Sequence, residues 1–128
     1  MPIDDYKYLR NLGYLYLAFA HLSDSVLSDS EMAEIIQVLR VRTGANDFEE
    51  AQKLMNDVID WYNKSAENRL QIIAFIAKEI HIKTEDPQAK VAIIEDLISI
   101  AKADTIVNET ERNFINSLIS AWELNYNF

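Results

Sequence analysis

The sequence has no cysteine, and that absence excludes a disulfide framework, a thiolate zinc centre and a cysteine nucleophile. Glycine is almost as scarce. With Gly13 and Gly44 alone, there is no glycine-rich loop to cradle a phosphate and no nucleophile elbow. His21 and His81 are the only histidines, too few for a three-histidine zinc site. Basic residues are outnumbered, 12 Lys and Arg against 21 Asp and Glu, for a net charge of -9. Such a surface repels phosphate backbones, so nucleic acid is not expected as a partner, whereas a cation or a basic surface is. The longest uncharged stretch, 11–23, falls well short of the ~20 residues that cross a bilayer. The acidic start MPIDDYKYLR is not followed by the apolar run of a secretory signal. The expectation is a cytoplasmic protein with no transmembrane segment.

Hydrophobic residues make up 49% of the 128, enough for a packed core despite the charge. Two Gly and two Pro leave few of the breakers that punctuate a β-rich chain, and apolar residues recur at three- and four-residue spacing. The pattern predicts an all-α bundle of six to seven helices forming one domain over 1–128. A first helix is expected from Asp4 to Ser23, apolar almost all round in its second half and therefore central. Gly13 inside it suggests a close helix crossing. A second helix is expected from Asp29 to Arg42, stopped at Thr43-Gly44, and others after Asn46, after Ser65, near Thr84–Pro87 and after Asn108. In the fourth, Leu70, Ile73, Ile76, Ala77 and Ile80 are expected to point inward. In the fifth, the expected inner face is Val91, Ile94, Leu97, Ile98 and Ala101.

One internal repeat stands out. Asp24-Ser25-Val26-Leu27-Ser28-Asp29-Ser30-Glu31 aligns with Asp104-Thr105-Ile106-Val107-Asn108-Glu109-Thr110-Glu111, and Ile35, Val38 and Leu39 then align with Ile115, Leu118 and Ile119. Each copy closes one apolar helix and opens the next, as a duplicated helix-turn-helix with two helices inserted between the copies. Capping chemistry explains much of the pattern. Ser28 and Asn108 are N-cap residues with a glutamate three positions on, and the apolar pairs 26–27 and 106–107 suit a hydrophobic staple. Capping does not require Asp24 or Asp104. No Lys or Arg lies between Arg10 and Arg40, and Asp24, Asp29, Glu31 and Glu34 cluster there. Carboxylates at a turn and a helix start are hard oxygen ligands, suited to Ca²⁺, Mg²⁺ or Mn²⁺, although the spacing is not that of an EF-hand.

This doubled pattern of Asp, an apolar residue and Glu across two helix junctions resembles the tellurite-resistance protein B (TerB) family. The likeness is sharpest over 24–39 and 104–119 and covers nearly the whole chain in architecture. It implies a helical bundle that binds a divalent cation, linked to tellurite and general stress resistance, with Asp24, Glu31, Asp104 and Glu111 as metal ligands. It also implies a non-enzymatic role, in which an unidentified protein partner belongs to a membrane-associated stress-response assembly. The chain departs from the family pattern after each Asp, where Ser25 and Thr105 stand in place of Gly and resist a positive φ. The alternative reading is a protein-interaction scaffold whose acidic turns are helix caps only.

Other residues are assigned blander roles. Tyr6, Tyr8, Tyr14, Tyr16 and Phe19 are expected in the core with polar tips at the surface, rather than as an aromatic groove for a partner, and His21 and His81 as helix-end histidines satisfied by a carbonyl. Trp122, Tyr126 and Phe128 either fold back on the bundle or form an exposed patch. No nucleophile is paired with a base, so an enzyme is not expected.

Overall fold

A computed structural model of the chain describes residues 3–23, 29–43, 48–64, 69–103, 109–126 and 128. Six helices account for most of them: α1 (Ile3–Ser23), α2 (Asp29–Thr43), α3 (Phe48–Lys64), α4 (Arg69–Lys83), α5 (Pro87–Lys102) and α6 (Glu109–Ala121). There is no strand among the described residues. The expected all-α fold is what is found, with helix boundaries close to those read from periodicity and cap residues. Ser28, Asn108, Gly44 and Ser65, expected to cap or stop helices, lie outside the described residues.

α1 is the hub. It packs on every other helix, and Leu12, Tyr14, Leu15, Tyr16 and Phe19 are fully buried. This follows from its composition, since a helix apolar all round is stable only with neighbours on all sides. Gly13 marks a close crossing. A Cβ there would stand 2.7 Å from Val58 Cγ2 of α3 and 3.4 Å from Leu39 Cδ1 of α2. Alongside it, Tyr14 tilts against Trp61 with ring centroids 4.5 Å apart, and the Arg10 guanidinium lies 5.0 Å from the Trp61 ring.

α4 buries Ile73, Ile76 and Ile80 as expected, with Ala77 half-buried; the Leu70 side chain is outside the described residues. α5 needs a correction. Ile94, Leu97 and Ala101 are buried, but Val91 and Ile98 are only half-buried, and Ile93 and Ile100 take the fully buried positions. Apolar residues wrap more than half of this helix, so periodicity alone does not choose its inner face. Contact with α1, α2 and α6 does. The start of α5 is local chemistry: the Asp86 carboxylate accepts from the Gln88 N–H at 3.0 Å, and Pro87 occupies the first turn. Just before it, buried Thr84 shares a 2.6 Å hydrogen bond with the Tyr8 hydroxyl.

The C-terminal aromatics fold back. Trp122 is buried and donates from Nε1 to the Ala77 carbonyl at 3.2 Å, while Tyr126 and Phe128 pack on the core and the Arg112 guanidinium sits 4.5 Å from the Phe128 ring. The reversal is a Schellman motif: Leu124 N–H reaches the Ile119 carbonyl and Glu123 N–H the Ser120 carbonyl. It forces Glu123 to φ 56°, a conformation suited to Gly. Glu123→Gly is therefore expected to raise stability by about 0.5–1 kcal/mol, read as a higher urea midpoint at unchanged slope. An unchanged or lower midpoint would show that the left-handed turn carries no strain. His81 differs from expectation: its Nδ1 is buried without a hydrogen-bond partner, and its ring lies parallel to Trp122 at 6.5 Å between centroids.

Candidate functional site

Tyr16 Oη donates to Asp96 Oδ2 at 2.7 Å, and the two residues are 80 apart. The repeat over 24–39 and 104–119 has the same offset, so with that offset carried back along α1 and α5, Tyr16 and Asp96 occupy corresponding positions. Two equivalent positions can meet only close to the axis that relates the copies, which places a pseudo-twofold axis between α1 and α5. A second pair of contacts tests this. Ser99 Oγ donates to Glu34 Oε1 at 2.6 Å, and shifting both residues by the repeat offset gives Phe19 and Phe114. Those two rings are indeed in contact, with centroids 5.5 Å apart. The helix pairs follow the same rule, α2 packing on α5 and α6 on α1.

These contacts bring the ends of α1 and α5 and the starts of α2 and α6 together. Phe19 and Ser99 lie roughly one turn before the ends of α1 and α5, and Glu34 and Phe114 in the second turns of α2 and α6. Glu31 and Glu111, one turn earlier on α2 and α6, are 2% and 3% exposed. They head the buried stripes Ile35, Val38, Leu39 and Ile115, Leu118, Ile119, so helical periodicity draws both carboxylates inward. A carboxylate buried this deeply is costly unless it is hydrogen-bonded or held by positive charge, and neither one is without interactions. Asp24 and Asp104, the other two expected ligands, lie outside the described residues, as does the His21 side chain. Among the described residues, no three His, Asp or Glu gather closely enough to hold a metal ion.

The donor chemistry nevertheless fits a hard cation. Glu31 and Glu111 offer oxygen only, and each is the third residue of its helix, where the dipole end is positive and itself steadies a carboxylate. Asp96 was not legible as part of this region. Its signal was its distance from Tyr16, which equals the repeat offset, and that number acquires meaning only once the two side chains are seen to meet.

A sequence model of the family described as tellurite resistance protein TerB matches residues 15–126 of the chain. The match spans both junctions, the C-terminal part of α1 and all of α2 to α6. No curated protein matches the chain, nor does any solved structure.

Proposed function

The chain belongs to the TerB family, and from that premise we propose that it is a non-enzymatic module that takes up a divalent cation through Asp24, Glu31, Asp104 and Glu111. One observation carries the reading. Two glutamates at corresponding positions, on either side of a pseudo-twofold axis, are both almost wholly buried at the head of an apolar stripe. Capping alone is satisfied by an exposed side chain and does not require that burial. A bound Ca²⁺, Mn²⁺ or Mg²⁺ would add its positive charge to the interactions both carboxylates already make. The module would serve tellurite and general stress resistance in the cytoplasm. Its protein partner would belong to a membrane-associated assembly; no helix among the described residues is long and apolar enough to cross a membrane.

A ligand that binds only the folded state stabilises it, by about 2.7 kcal/mol at 100 times its Kd. Adding 10 mM Ca²⁺ or Mn²⁺, with a Kd of about 0.1 mM, is expected to raise the Tm by on the order of 5–15 °C. The Asp24→Asn/Asp104→Asn double variant should lose that rise. An unmoved Tm in the wild type would sink the cation. A second reading is favoured by the register of the helices, since Glu31 and Glu111 are each the third residue of their helix, where a capping-box glutamate belongs. In that case the protein is an interaction scaffold, and Glu31→Gln retains both stability and partner binding.

A further inference from the structure

We propose that a cleft beside the starts of α1 and α5 binds a small zwitterionic peptide, one with a free ammonium and a free carboxylate. The cleft has a volume of about 550 Å³, within the ~300–1,000 Å³ usual for small-molecule sites. Lys7, Tyr8 and Asn11 line it from α1, and Glu79 and Lys83 from the end of α4. The corner leading into α5 closes it. Thr84 is buried there, its N–H donating to the Ile80 carbonyl at 2.9 Å and its hydroxyl sharing the 2.6 Å hydrogen bond with Tyr8. The Ala89 and Lys90 N–H groups donate to the Asp86 carbonyl, which fixes the course of α5 away from the corner. Walls held in this way bind a ligand without the cost of being ordered first. The cleft lies at the opposite ends of α1 and α5 from the Glu31 and Glu111 junctions, so its test is independent of the cation.

Charge of both signs selects the ligand. Lys7 and Lys83 bring two ammonium groups to the cleft, and Glu79, Glu85 and Asp86 bring three carboxylates. Asp86 is already engaged as the N-cap of α5, accepting from the Gln88 N–H at 3.0 Å. Two lysines are then balanced by two glutamates, and among the described residues none of these four side chains makes an ion pair or a hydrogen bond. Glu79 and Lys83 stand one turn apart on α4, a spacing at which such pairs readily form, and yet they stay apart. A ligand of one sign meets like charge here: the lysines repel a polyamine and the glutamates repel a phosphate. A molecule with one ammonium and one carboxylate finds an opposite charge for each. The half-buried Tyr8 ring and Ala89 add apolar wall for a side chain. Volume sets the length, because the cleft is roomier than a single amino acid needs and a di- or tripeptide fills more of it.

The test titrates the full chain with the dipeptide Ala-Leu, its N-acetyl form and its C-terminal amide, read by NMR and calorimetry. Ala-Leu is expected to bind with a Kd below about 5 mM, and each blocked form at least fivefold more weakly. The backbone N–H resonances of Asn11, Thr84 and Ala89 should shift as it binds. Lys7→Gln/Lys83→Gln should lower the affinity for Ala-Leu to that for its amide, since the carboxylate has lost its partners. Glu79→Gln/Glu85→Gln should lower it to that for the N-acetyl form. An unchanged melting curve checks that each variant folds; where one does not, the blocked peptides on the wild type decide alone. No binding up to about 10 mM, equal binding of the blocked forms, or indifference to both double variants would overturn the proposal. So would shifts confined to other parts of the molecule. Tighter binding of spermidine or AMP, lost in these variants, would assign the cleft to a polycation or a phosphate instead. Free leucine binding as tightly as Ala-Leu would overturn the peptide and assign the cleft to amino acids.

Discussion

Phe19→Ala is expected to remove about 3–5 kcal/mol of stability, lowering the Tm by on the order of 10–20 °C. The side chain is fully buried on the hub helix and tilts against Phe114 at 5.5 Å, so truncation leaves a cavity and ends an aromatic contact. Its pseudo-symmetric counterpart behaves differently. Ser99→Ala removes a 2.6 Å hydrogen bond to Glu34, but that bond is exposed and water replaces it, so the expected loss is below about 1 kcal/mol. The two copies of the hairpin therefore keep the same geometry with different chemistry at corresponding contacts. Thermal melts of the two single variants decide the point. Equal losses would mean that burial does not set the difference between the two contacts.

Gly13→Ala is the second large effect, and its sign runs against helix propensity. In an open helix the substitution would gain about 1 kcal/mol. Here the new methyl meets Val58 Cγ2 at 2.7 Å, closer than carbon atoms approach without displacement. Val58 is fully buried and β-branched, so its side chain has no alternative rotamer to retreat into cheaply. Overpacking of this kind costs about 1–3 kcal/mol beyond the propensity gain. Val58→Ala removes the obstructing methyl. The Gly13→Ala/Val58→Ala double variant should thus be more stable than the sum of the two single losses predicts, by about 1–2 kcal/mol. Strict additivity in denaturant melts would rule out the contact as the reason for the glycine.

The candidate site was legible in part. Glu31 and Glu111 were found because caps and turns are local and the duplication repeats them almost residue for residue. The sequence carried no sign that both would be buried, since burial depends on which face of α2 and α6 turns inward. Asp96 was missed because its partner lies on another helix.

The six helices and the start of α5 at Asp86-Pro87 were determined by the sequence alone. They rest on interactions within a few residues: periodicity, cap hydrogen bonds and the fixed φ of proline. The central position of α1 was also determined there, because a helix apolar on every side has no stable place at a surface. Other features were decided only by tertiary structure. Tyr16 meets Asp96 across a pseudo-twofold axis, the end of α1 meets the start of α6 through Phe19 and Phe114, and Ile93 and Ile100 displace Val91 and Ile98 from the core. The C-terminal aromatics close back on the bundle rather than standing clear of it. Each of these joins residues tens of positions apart, and contacts of that range are chosen by how whole helix faces fit together, which no local pattern encodes.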